Sequence, residues 1–165
     1  MIDLKRFEEC VCKGRKAPDS LCDGELSFEE KGKKIKLSLR ENEEAKALAI
    51  DQCVCIDNDL KCDGIFLYRR RNKHWMIMVE LKGSDIEHAY EQLAYMRNNR
   101  PEYKEIKQLF MSNEVGRPQQ EAFIVSNVMV SAVDKQKMEN NKNIRVKAIL
   151  HSVAIKPVPD LRQFL

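Results

Sequence analysis

The chain has 165 residues, 43% of them hydrophobic and 33% charged, with a formal net charge of +3. That length suits one domain with a core of its own, and the composition is ordinary for a globular chain. No apolar run approaches the roughly 20 residues that span a bilayer, and the first residues mix acidic with basic side chains without an apolar signal core. The expectation is a cytoplasmic protein with no membrane partner. A charge of +3 is too weak to draw in a polyanion over long range, so any nucleic-acid contact has to come from local clusters.

In chain order, residues 1–34 read as an N-terminal extension packed on a domain of residues 35–165. Met1 to Glu9 predicts a short amphipathic helix with Ile2, Leu4 and Phe7 inward. Cys10 to Gly24 holds Gly, Pro, Asp and Ser and reads as loop. Alternating residues before and after Lys31-Gly32-Lys33 suit two edge strands or a small hairpin. Arg40 to Ala49 is rich in Glu, Lys, Ala and Leu and predicts a helix with an acidic first turn. A strand over Ala45 to Ile56 is the alternative, because Ile50, Cys53, Val54, Cys55 and Ile56 favour β structure, and it would bring Asp51 into consideration.

All six cysteines lie in the first 62 residues. In a reducing compartment disulfides are not expected, which leaves buried structural thiols, a Zn²⁺ site or an iron–sulfur cluster. A C-x-C pair on a strand puts both sulfurs on one face, so Cys53, Cys55 and Cys62 form a candidate second metal site. Burial as plain thiols competes with it, since cysteine is among the most readily buried residues.

After the turn Asp57-Asn58-Asp59 comes the central stretch, Cys62 to Gly83. Ile65 to Tyr68 and Trp75 to Leu81 are rich in branched and aromatic residues and flank a polar, basic turn, which predicts a hairpin. If the turn is centred near Arg71 and Asn72, antiparallel pairing sets Asp63 opposite Glu80. Strand alternation sends Glu80 and Lys82 to one side. Two opposed carboxylates repel unless a cation joins them. Mg²⁺ commonly takes one or two carboxylates and leaves its other positions to water and phosphate, and a nearby lysine can hold the attacking water or offset phosphate charge.

Ser84 with Glu87 reads as a capping box opening a helix whose buried stripe includes Ile86, Ala89, Tyr90 and Leu93. Gln92 and His88 lie on its flank, near the strand end that bears Lys82. Pro101 opens a second helix. Residues 112–120 read as loop, 121–132 as a buried strand bent at Ser126-Asn127, and 134–143 as a short helix or exposed crossover. A last strand spans 144–155, ended by Pro157 and Pro159. The total is an α/β fold with a central mixed β-sheet flanked by helices.

Asp63, Glu80-Leu81-Lys82 and Gln92 together resemble the signature of the PD-(D/E)xK nuclease superfamily, over residues 35 to 155. The residue before the Asp is Cys62, where many members carry Pro. The resemblance implies a restriction-endonuclease-like fold, with Asp63, Glu80 and the main-chain oxygen of Leu81 as ligands of Mg²⁺ or Mn²⁺. It further implies that Lys82 acts on the attacking water, that Gln92 supports the site, and that Glu44 reaches the metal from a preceding helix. Arg69, Arg70, Arg71 and Lys73 are the candidate nucleic-acid contacts.

The function these features imply is a metal-dependent endonuclease hydrolysing phosphodiester bonds in DNA, commonly as a homodimer. Alternatives are a catalytically inactive nucleic-acid-binding or protein-interaction domain of the same fold, or an interaction module organised by cysteines and Zn²⁺.

Overall fold

The computed structural model describes residues 1–14, 20–151 and 158–165. The hairpin at its centre consists of β5 (Gly64–Arg70) and β6 (Lys73–Leu81), closed at Arg71-Asn72 as the sequence spacing predicts. Antiparallel β4 (Glu43–Ala49) pairs with the outer side of β5. Two parallel strands, β7 (Gln119–Ser126) and β8 (Ala148–His151), complete a five-stranded mixed sheet of order β4-β5-β6-β7-β8. β6 is central, which accounts for its unbroken apolar run from Trp75 to Val79: both its faces are covered. The crossover from β6 to β7 carries two helices, α1 (Ile86–Asn99) and α2 (Pro101–Phe110), and α3 (Ala132–Lys142) lies between β7 and β8.

Strand alternation divides the core in two. Ile65, Leu67, Met76, Met78, Ala122 and Ile124 face α1 and α2, packing against Tyr90, Leu93 and Phe110. Phe66, Tyr68, Ile77, Val79, Phe123 and Val125 face the other way. There they meet a three-stranded antiparallel sheet of β1 (Cys22–Gly24), β2 (Ser27–Glu30) and β3 (Lys33–Lys36), together with Leu161 and Phe164 of a C-terminal 3₁₀ turn. Phe28 presses so closely on the main sheet that a Cβ added at Gly64 would lie 2.5 Å from its ring. Only glycine fits under that ring.

Several sequence expectations are corrected. Residues 43–49 form a strand, not the helix that their composition favours, because pairing along the whole of β5 outweighs a weak local preference. The alternative strand reading holds as far as Ala49, after which residues 51–55 turn tightly with Gln52 at φ +66°. The N-terminal helix is a 3₁₀ turn, Lys5–Cys10, although Ile2, Leu4 and Phe7 are buried. Beyond it Val11 bridges Leu48 and the Cys12 amide donates to the Ala47 carbonyl at 2.8 Å, so this segment runs along the outer edge of β4. The cap of α1 is Asp85, which accepts the His88 amide, not Ser84. The strand expected to reach residue 132 stops at Ser126, and Ser131 caps α3. The expected strand residues 152–155, and Pro157, lie outside the described residues. Among the described residues no helix is long and apolar enough to cross a membrane.

The cysteines differ most. Cys10 is joined to Cys53 and Cys12 to Cys22 by disulfides, and Cys55 and Cys62 are buried thiols. Disulfides were not expected in a reducing compartment; such bonds persist mainly in oxidising ones. Cys53 therefore has no thiolate to share with Cys55 and Cys62, and the three-cysteine metal site falls away. Burial raises the Cys55 thiol to about 11 and pushes Cys62 well above its ordinary value, so neither is a ready thiolate.

Candidate active site

The register of β5 and β6 pairs Gly64 with Val79, and the next step outward sets Asp63 against Glu80. Glu80 shares strand parity with Met76 and Met78, which face the helical side, and Lys82 reaches Gln92 of α1 there, while Asp63 lies at the bend just before β5. The backbone interlocks the acids: the Asp63 amide donates to Glu80 Oε2 at 3.1 Å, and the Leu81 amide donates to Asp63 Oδ2 at 2.7 Å. Asp63 Oδ1 and Glu80 Oε1 have no hydrogen-bond partner among the described residues.

Both acids are deeply buried, at 6% and 2% exposure. Desolvation raises the Asp63 carboxyl to about 7, reinforced by the Glu30 carboxylate, against the Leu81 amide bond that favours ionisation. Desolvation also pushes Glu80 well above its ordinary value, with the Asp63 charge adding to it and Lys82 opposing. Burial thus disfavours ionising both acids together, and each keeps one oxygen outside the backbone clasp.

Lys82 enters from the end of β6, its amide tied to the Val125 carbonyl at 2.8 Å. Its ammonium donates to Gln92 Oε1 at 3.3 Å, and Gln92 Nε2 donates to the Lys61 carbonyl at 3.2 Å. Gln92 thus ties α1 to the lysine and to the segment that delivers Asp63. Arg100, almost fully buried, holds the same segment further back by pairing with the Asp57 carboxylate and donating to the Leu60 carbonyl at 3.0 Å.

Two carboxylates that the motif does not contain act on this site. Glu30, at the end of β2, raises the carboxyls of both Asp63 and Glu80. Alternation along β2 puts it on the same side as Phe28, a signal readable in Ser27-Phe28-Glu29-Glu30 once the packing of Phe28 is known. Asp51 follows β4; its amide donates to the Asp63 carbonyl at 3.2 Å and its carboxylate pairs with Lys61 at 3.6 Å. Among the described residues no three His, Cys, Asp or Glu side chains gather as a metal cluster, so Asp63 and Glu80 stand as a pair. Two carboxylates suffice for Mg²⁺ when waters and substrate oxygens fill the remaining positions.

Other expected residues are elsewhere. Glu44 pairs in register with Arg69, five residues along the sheet from the Ala49–Gly64 pair and so about 17 Å from it. It accepts the Ile2 amide and pairs with Arg69, and the helix that was to aim it at the site is a strand. Arg69 is turned inward, bonded to the Phe110 carbonyl and paired with Glu44 and Glu114, which removes it from the nucleic-acid contacts. Arg70, Arg71 and Lys73 lie at the closed end of the hairpin, about 20 Å from the acids. His88 pairs with Glu91. Two clefts among the described residues lie elsewhere, one at that closed end and one beside α3, lined by residues such as Arg97 and Lys135. No family model matches the chain, and neither a curated protein nor a solved structure does.

Proposed function

We propose that the chain is a metal-dependent nuclease of restriction-endonuclease-like type that hydrolyses phosphodiester bonds in DNA. What carries the reading is the open end of the β5–β6 hairpin, where two interlocked acids and a lysine held by a glutamine stand together. Asp63 Oδ1, Glu80 Oε1 and the main-chain oxygen of Leu81 are the groups that would hold Mg²⁺ or Mn²⁺. When bound, such an ion polarises the phosphoryl oxygens and makes a coordinated water more acidic.

The chain's own residues supply the rest. Burial of Asp63 and Glu80 makes the empty site poor at holding charge, so cation capture and ionisation of the acids go together. Lys82, oriented by Gln92, places an ammonium beside the pair, where it orients the attacking water and offsets phosphate charge. Gln92 is a positioning residue, because its two bonds are to protein groups. Cutting both strands of a duplex needs two such sites, which a homodimer would provide.

The test is incubation of the protein with plasmid, linear, single-stranded and branched DNA in Mg²⁺ or Mn²⁺, beside Asp63→Ala and Lys82→Ala. Cleavage by the wild type that both substitutions abolish supports the reading. Cleavage that survives both, or no cleavage of any of these forms, removes it.

A further inference from the structure

The closed end of the hairpin carries a feature that the acids do not explain. The turn before β4 and the turn between β5 and β6 lie side by side, because Glu43 pairs in register with Arg70. Between them opens a cleft of about 670 Å³ lined by Arg40, Arg70, Arg71, Lys73 and Arg162, with Glu41 and Glu43 as its acidic residues. Five cations against two acids leave a surplus of three positive charges, as large as the formal net charge of the whole chain.

Part of this charge is structural. Arg162 grips the Glu43 carboxylate through both guanidinium nitrogens, donates to the Tyr68 hydroxyl at 3.1 Å and thereby seats the C-terminal turn on the sheet. That pair is self-neutralising and forms the wall. Arg70 lies over the Trp75 ring at 5.0 Å, which restrains its guanidinium at the cleft. Arg40, Arg71 and Lys73 are exposed and have no carboxylate partner among the described residues. The contrast with neighbouring Arg69, which has two carboxylates of its own, is sharp. Arg71 also sits at φ +53°, a left-handed conformation that costs a non-glycine residue about 1 kcal/mol. The comparable turn between β2 and β3 likewise begins on a left-handed lysine, Lys31 at φ +48°.

We propose that this cleft binds a phosphate-bearing anion, supplied either as a free nucleotide or as the backbone of a nucleic-acid strand. Guanidinium groups suit phosphate because their planar forks donate two hydrogen bonds at once, and a concave surface of one sign concentrates its field on an incoming anion. A bound phosphate would neutralise the unpaired arginines as Glu43 neutralises Arg162. The site stands apart from the nuclease reading, since about 20 Å of strand separates it from Asp63.

The experiment measures binding of a short fluorescein-labelled DNA strand by anisotropy, and of ATP and inorganic pyrophosphate by calorimetry. The proteins are wild type, Arg71→Glu/Lys73→Glu, and the charge-matched control Lys104→Glu/Lys137→Glu, whose residues are exposed on α2 and α3. Arg40→Glu is a second, independent change in the cleft. The expected result is binding to wild type that weakens about tenfold or more in both cleft variants and by about twofold or less in the control. ATP or pyrophosphate binding without strand binding identifies a free nucleotide, and strand binding that ATP does not displace identifies the backbone. Asp63→Asn should leave this binding intact while removing cleavage, so the two readings fail separately. Equal weakening in cleft and control variants, or no binding of any probe by the wild type, overturns the proposal.

Discussion

The Asp63 amide donates to Glu80 Oε2 at 3.1 Å while Asp63 Oδ2 accepts the Leu81 amide at 2.7 Å, so the two acids are clasped across the hairpin by backbone as well as by side chain. Their placement therefore does not wait for a cation. The clasp also means that alanine at either position disturbs the strand pairing, and isosteric amides separate chemistry from structure more cleanly.

Stability without metal should fall as pH rises. Asp63 has its carboxyl raised from 3.8 to about 7 by burial, so protonated Asp63 favours the folded state. That contribution is complete below about 4, where the unfolded chain is protonated as well, and is lost as pH climbs through about 7. The loss is up to about 4 kcal/mol, with Glu80 acting in the same direction. Urea denaturation in EDTA at pH 5 and pH 8 measures it. Asp63→Asn should flatten the difference, and a profile equally steep in that variant would place the titration elsewhere.

Lys82 and Gln92 should separate in kinetics. Lys82→Ala is expected to lower cleavage about 100-fold or more, and Gln92→Ala only about tenfold, because the lysine loses its orientation but not its charge. Neither should change unfolding free energy by more than about 1 kcal/mol. Single-turnover cleavage beside denaturation curves reads both. If Gln92→Ala proves as damaging as Lys82→Ala, the amide touches substrate.

Gly64→Ala should destabilise by about 1–3 kcal/mol, since the added methyl meets the Phe28 ring at 2.5 Å. Phe28→Leu should recover part of that loss in the double variant. A fully additive double-mutant cycle would show that the small sheet does not bear on Gly64.

Thiol reduction should weaken the fold in two unequal steps. Loop-closure entropy assigns about 4 kcal/mol to the Cys10–Cys53 bond and about 3 to Cys12–Cys22, from separations of 43 and 10 residues. Cys53→Ser and Cys22→Ser, followed by denaturation with and without dithiothreitol, test the order. Thiol titration of the unfolded protein should find two reactive cysteines before reduction and six after it.

The heart of the site was legible because a hairpin is a local object. Once its turn is located at Arg71-Asn72, counting outward pairs Asp63 with Glu80, and alternation adds Lys82. Gln92 followed from a helix starting just after the strand. Residues recruited over long distances were not legible. The segment Glu43–Ala49 has a helix former's composition and becomes a strand only because β5 offers a partner, and with it Glu44 moved to the far end of the sheet. Glu30 arrives from a separate sheet on the opposite face, and Cys10 meets Cys53 across 43 residues. None of these has a local pattern to announce it.

The N-terminal segment that lies along β4 has a structural role of its own. An outermost strand with open amides and carbonyls invites another chain to add to it. Val11 and Cys12 occupy the Leu48 and Ala47 positions of that margin, and Lys46, next along, is held by Glu8. The opening dozen residues thus work as a selvage, closing the sheet against templated growth from that side.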